Sequence, residues 1–301
     1  MATKRVLYAA LTGNFFVAAT KAVAAVITGS SAMVSEAVHS FVDTGDQLLL
    51  LYGLHRSRLP PHEEHPLGHG RELYFWSFVV ALLIFALGAG ISIYEGILHI
   101  HHPTPITDPR VSYIVLGLAF LFEGWSWTVA LKEVRRVKGS RGILEEFERS
   151  KDPPSFMVLF EDTAALLGII IAALTTFLSI KLRLPILDGV ASILIGLILA
   201  TIAVALARES KSLLIGEQAD PALRKSLLQV AREVSKAEQL ELMFAIQLSP
   251  EEVIVALAVR FPADMRAREI GAEVLEIERQ LRARHHEVVA LYVRPQEPAG
   301  S

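Results

Sequence analysis

Not one cysteine occurs in the 301 residues. That absence excludes disulfides, thiolate metal ligands and thiol catalysis together, and it leaves the redox compartment unspecified. Soft sulfur donors are reduced to five methionines. An excess of one charge is lacking too: 29 Lys and Arg stand against 32 Asp and Glu. With a pI near 6.4, nothing draws the chain towards nucleic acid. The first apolar run starts almost at Met1, without a polar N-region of useful length or an Ala-x-Ala-like cleavage site. It is therefore expected to be retained and not removed as a signal peptide.

What the chain has in quantity is apolar length. Hydrophobic residues make up 52% of it, in several near-continuous runs. Runs of about 20 residues, rising about 1.5 Å per residue, cross a hydrocarbon core roughly 30 Å thick. Six spans are expected, near 6–28, 32–54, 73–98, 111–132, 155–180 and 186–207. Lys4 and Arg5, then Arg56, Arg58 and Arg71, then Lys132, Arg135, Arg136, Lys138 and Arg141, then Arg208 and Lys211 share one side. The other side has only an uncharged TGSS turn, Arg110 and the Lys181/Arg183 pair. Short loops rich in Lys and Arg stay in the cytoplasm, so both termini are expected inside, on a multi-pass cell (inner) membrane protein.

Beyond about residue 208 the composition turns mixed and charged. Asp220-Pro221 is a helix start. Two β-rich runs, LELMFAIQLS and EEVIVALAVRF, follow around Pro250, then an amphipathic helix over Asp264 to Arg284 and a last strand, EVVALYVR. The order αββαβ predicts a small ferredoxin-like α+β domain with both helices on one face of one sheet. The expected organisation is a six-helix transmembrane domain, 1–208, and a cytoplasmic α+β domain, 209–301.

Ionisable residues inside these spans are the chemical signal. His39, Asp43 and Asp46 lie in HSFVDTGDQLLLLYGL, and at about 100° per residue they share one helix stripe. Charged groups at membrane depth are costly and mark ion or proton pathways; the bland alternative is a buried polar network holding helices together. Glu123, within LFEGWSW, reads as a helix-packing contact beside Gly124, with path lining as the other option. Gly88, Gly90, Gly189 and Gly196 read as packing residues. Asp188 serves equally as a helix cap or as a polar transport residue. Between spans two and three, HRSRLPPHEEHPLGHGREL is a proline-bent loop. Its His62, His65 and His69 sit three and four apart with Glu63 and Glu64 between, a nitrogen/oxygen set suited to zinc, or simply a solvated loop.

Taken together, SxxxSEAVHSFVDT, HPLGHGRE, LFEDTAALLG, DGVASILIG and the small αββαβ domain make the chain resemble the cation diffusion facilitators, a family of dimeric metal/proton antiporters. DPPSFMVLFEDTAALLGIIIAA most resembles the mitochondrial zinc transporter branch and its bacterial relatives. The resemblance implies a homodimer that effluxes a divalent cation against protons, with no resident cofactor and no enzymatic activity. It implies a transport site where span two meets span five, each giving two ligands four residues apart. His39 and Asp43 match the first pair and Asp162 matches the second carboxylate, but the position four before it is Val158. Glu161, Asp46 and water compete for the missing contact. A site of one nitrogen and several oxygens admits manganese, iron or cobalt beside zinc. Two other classes fit ionisable residues at membrane depth: an intramembrane zinc-dependent hydrolase, and a metal-responsive membrane sensor.

Overall fold

The computed structural model describes residues 2–28, 31–103, 109–138, 142–235, 237 and 239–296. Gly29, Ser30 and Arg141 lie outside them, and of Glu36 and His39 only the helical backbone is described.

The apolar runs fold as long helices: α1 (Ala2–Thr28), α2 (Ser31–Arg56), α3 (Glu72–Leu83), α4 (Gly90–His101), α5 (Pro109–Lys138), α6 (Ile143–Arg149), α7 (Pro153–Leu182) and α8 (Ile186–Ile215). A π-helical turn, Ile84–Ala89, joins α3 to α4, so the two make one continuous rod. Stops and starts have local causes. Two prolines, which need no amide partner, open α7; Arg183 in the left-handed region closes it, and Gly216 at φ 121° closes α8. Leu7, Leu50, Leu73, Met157, Val158 and Leu206 form the shared core. Phe15, Tyr94, Leu121 and Phe177 instead point outwards, as a lipid-facing surface requires.

By length and apolarity, five helical segments among the described residues are able to cross a membrane: 3–24, 72–101, 110–136, 153–182 and 186–215. The remaining expected span, 32–54, falls on α2, whose side chains are described only from Ser40 onwards. Its sequence includes Glu36, His39, Asp43 and Asp46, the residues that make it a candidate for chemistry. The last rod runs eight residues further than expected, to Ile215, and the loop before α7 contains an unforeseen short helix, α6. Phe147 of α6 packs against Phe156 and Phe160 of α7 at ring separations of 5.5 and 5.0 Å.

The C-terminal part follows the expected αββαβ order: α9 (Pro221–Val234), β1 (Gln239–Ser249), β2 (Glu252–Arg260), α10 (Ala267–Arg284) and β3 (Val288–Gln296). Asp220 caps α9, its carboxylate accepting from Ala222 N–H at 2.7 Å. The sheet order is β1-β2-β3, with β1 antiparallel and β3 parallel to β2. Val253, Val255, Leu257 and Val259 of central β2 meet Leu227 of α9 and Ile277 and Leu281 of α10 in one core. The linker after α8 lies along the edge of β1, Ala219 N–H donating to Ala245 O and Gln247 N–H to Glu217 O. Lys151, just before α7, pairs with Glu217 at 2.7 Å and ties that edge to the helices.

Asp152, at the start of α7, anchors α1 to α7. Thr3 Oγ1 and Ser155 Oγ donate to its Oδ2 at 2.9 and 2.6 Å, while Oδ1 has no partner. Burial pushes this carboxyl above its usual range, against the lowering effect of the two hydroxyls. A raised native pKa gives stability that is present in acid and lost as pH rises through that pKa. Asp152→Asn keeps the acceptor and removes the charge. Its thermal midpoint is expected to exceed that of the wild type at pH 8, with the gap closing towards pH 4; a gap independent of pH refutes the burial argument.

Candidate metal site

The loop histidines converge. Pro60 and Pro61 end the helical path, and His62 and His65 then exchange two backbone hydrogen bonds of 3.0 and 3.2 Å, closing a tight loop. Gly68, at φ 76°, occupies a left-handed position that a residue without a Cβ adopts freely, and it turns the chain back to place His69 under the other two rings. His62 Nε2 lies 3.1 Å from His69 Nε2 and 3.2 Å from His65 Nδ1. Tetrahedral zinc, with Zn–N bonds of about 2.0–2.1 Å, needs ligand edges of roughly 3.3 Å; the two edges at His62 Nε2 are close to that, and all three ligand atoms lie within 4.8 Å of one another.

His69 is buried, and its other ring nitrogen stands 3.7 Å from Glu72 Oε1, which also accepts from Arg56, while Trp76 donates to Glu72 Oε2. A carboxylate behind a ligand ring orients it. The three rings border an open pocket of about 380 Å³ with Arg56, Pro60 and Glu64. Glu63 and Glu64 do not join the converging atoms, so the group is all nitrogen, not the mixed set that the sequence suggested. On its far side the loop abuts the sheet domain: a Cβ on Gly70 would lie 2.6 Å from Glu252 Oε2 and 3.0 Å from Leu248 O.

A second cluster lies inside the helices. Asp46 and Gln47 of α2, Glu123 and Ser126 of α5, and Glu161 and Asp162 of α7 are all buried; Asp43 is half-buried. Gln47 Nε2 donates to Glu161 Oε2 at 2.8 Å, joining α2 to α7. Glu161 has Asp43, Asp46, Asp162 and Glu123 as its charged neighbours. Glu123 and Ser126 are the polar contacts of Asp162, yet Asp162 Oδ2 and Ser126 Oγ reach no hydrogen bond of full geometry. Val158, one turn before Asp162, is wholly enclosed in the apolar core and offers no ligand.

Of the expected ligands, Asp43 and Asp162 are both charged neighbours of Glu161, and the His39 side chain lies outside the described residues. Among those residues only the loop histidines draw three ligand atoms within 4.8 Å of one another. Sequence reasoning missed Gln47, whose amide fastens Glu161, and Asn14 of α1, buried with its Oδ1 unpartnered. The signal was available: amides in apolar spans need partners as acids do. Glu123 was undervalued, because a Cβ on Gly124 would meet nothing within 4 Å, so no close packing explains the acid beside it. Asp188 is no cap: Pro185 takes that position, and the Asp188 carboxylate lies 3.9 Å from His99.

Comparison with known proteins falls on the same segments. The family described as the cation efflux transmembrane domain matches residues 7–215. Metal tolerance protein C4 of Arabidopsis thaliana is 33% identical over 240 residues, covering 79% of this chain and 52% of its own length. The human proton-coupled zinc antiporter SLC30A9, mitochondrial, is 35% identical over 203 residues, 67% of this chain and 36% of its own. The cation-efflux pump FieF of Escherichia coli strain HS is 34% identical over 95 residues, 31% of each. The chain therefore spans about a third to a half of the length of these relatives.

Proposed function

Because the chain belongs to the cation efflux family, the cation diffusion facilitators, we propose that it exports a divalent metal cation, zinc first, in exchange for protons. The family consists of transporters, so the hydrolase reading falls away. One observation carries the proposal: buried Asp46, Glu161 and Asp162 with half-buried Asp43, acids of α2 and α7 joined where Gln47 donates to Glu161. Acids so placed are expensive unless a cation or protons neutralise them, and that alternation is exchange.

In this reading six helices span the membrane, α2 included, with both termini in the cytoplasm and a second copy completing a homodimer. Residues 1–208 carry transport, and 209–301 form the cytoplasmic domain. Cytoplasmic cation meets His62, His65 and His69 first. It then binds His39, Asp43 and Asp162, with Glu161 or a water beside it, and leaves on the other side when the helices rock around the site. Protons take its place on the same groups, so no separate proton wire is needed. An inward proton gradient drives the outward flux. Zinc accords with the name of the mitochondrial antiporter, while the oxygen-rich set leaves manganese, iron and cobalt as competitors.

The test is zinc and manganese flux into proteoliposomes with and without an imposed pH gradient. Zinc flux that depends on the gradient and stops when an ionophore collapses it is the expected result. Flux indifferent to the gradient overturns the exchange. No flux of either ion from folded, metal-binding protein overturns transport in favour of a metal-responsive sensor.

A further inference from the structure

We propose that Glu123 of α5 supplies the ion ligand that α7 lacks at Val158, so that the transported cation is held by three helices, α2, α5 and α7. The inference rests on the transport reading above and adds a helix to its site.

Its first support is elimination along α7. Val158 sits in the apolar core with no polar atom to give. Glu161, the remaining acid on that helix besides Asp162, is fastened by the Gln47 amide at 2.8 Å. Glu123 of α5 is the remaining acid in contact with Asp162. It is 8% exposed, adjoins Asp162, and has Asp43 of α2 and Lys21 of α1 as its charged neighbours. Both acids already assigned to the ion are therefore among its neighbours.

The second support is independent of the acids as a group. Asp162 is 1% exposed and lies in polar contact with the Ser126 hydroxyl and the Glu123 carboxyl, yet its Oδ2 and the Ser126 Oγ reach no hydrogen bond of full geometry. Ser126 lies three residues after Glu123, on the same face of α5. A buried oxygen without a partner carries the full cost of its lost hydration. A merely structural contact between α5 and α7 gives no reason to leave two such oxygens facing each other with an acid alongside. A divalent cation between Glu123 and Asp162 satisfies the carboxylates and relieves their mutual repulsion. With His39 and Asp43 as the span-two ligands of the transport reading, Glu123 and Asp162 would bring the donor types to one nitrogen and three carboxylates, the number that zinc takes and a set that manganese accepts.

The experiment uses the full chain in proteoliposomes, with zinc chloride and manganese chloride as separate probes. Wild type, Glu123→Gln, Glu123→Gln with Val158→Asp, and Asp162→Ala are compared. Monodispersity and a thermal melt show that each is folded. Glu123→Gln is expected to raise the half-saturating zinc concentration at least about tenfold, the scale on which even groups behind a metal ligand act. Val158→Asp, restoring a carboxylate one turn before Asp162, is expected to recover most of that loss. Folded Glu123→Gln with wild-type half-saturation, whatever its melting point, overturns the ligand role and leaves a structural pairing with Lys21. So does a reduced maximal rate at unchanged half-saturation, or a double variant no better than the single one. Should Glu123→Gln not fold, Glu123→Asp takes its place: a changed zinc-to-manganese preference supports the ligand, and an unchanged one overturns it. If Asp162→Ala keeps wild-type flux, the transport reading itself fails, independently of what Glu123 does.

Discussion

Asp162→Ala is expected to remove gradient-driven zinc flux to the background of empty vesicles, a loss of more than about a hundredfold, since groups merely behind a metal ligand are already worth 10–100-fold. Asp162 sits where every line of the site meets: on α7, beside Glu123 and Ser126 of α5, and among the neighbours of Glu161. Its Oδ2 is the buried acid oxygen at that junction without a hydrogen-bond partner. The truncation removes both oxygens and leaves a space that a water enters without carrying charge. Stability should not fall with it, because deleting a buried carboxyl lacking a complete set of partners removes a desolvation cost. The decisive comparison is therefore flux against thermal midpoint in the same preparation. A variant that is folded and still transports at the wild-type rate removes Asp162 from the pathway.

Gly189→Val is expected to do the reverse and abolish the folded protein before transport is asked about. A Cβ on Gly189 would meet Gly96 O at 2.6 Å and Ile100 N at 3.0 Å; one on Gly96 would meet Gly189 O at 2.7 Å and Ile193 N at 2.9 Å. The obstacles are backbone atoms, so no rotamer change relieves them, and α4 must part from α8. Even alanine there should cost about 1–3 kcal/mol, typical of overpacking, and valine more. The same crossing continues at Gly196, where a Cβ would lie 3.1 Å from Ala89 O. Gly88→Ala is the matched control, because its nearest neighbour, Leu199 Cδ1, would be at an ordinary 3.6 Å. Size-exclusion profiles of the solubilised variants decide it: aggregated Gly189→Val beside monodisperse Gly88→Ala supports the crossing, and a monodisperse Gly189→Val refutes it.

How much of this was legible beforehand follows from where the physics is local. The helices were readable because apolar length is a property of the sequence, and the αββαβ order because Asp220-Pro221 and the alternating strands announce themselves. Gly189 and Gly196 were recognised as packing residues, but Gly96 was not, because which glycine of one helix meets which glycine of another depends on rotation about both axes. The three loop histidines were legible as a group; that Glu63 and Glu64 bring no oxygen to their converging nitrogens was not, since a loop with two prolines follows no periodicity. In the acidic cluster, Asp43 and Asp46 were legible from their shared helix stripe, and Asp162 came from resemblance. Glu123 and Gln47 needed the fold, because α5 and α2 meet α7 through contacts that span up to 114 positions of sequence.

The π-helical turn Ile84–Ala89 sets the angular phase of everything after it. A π turn holds one residue more than the α-helix would, and each α-helical residue advances by about 100°, so α4 is clocked round relative to α3 by roughly that angle. That offset lets a single rod present one side to α2 through α3 while turning Gly96 squarely onto α8 through α4. Insertions and deletions within 84–89 are thus not equivalent to those in a loop. Losing one residue would keep the rod straight and its length nearly unchanged, and would still unmesh it from α8.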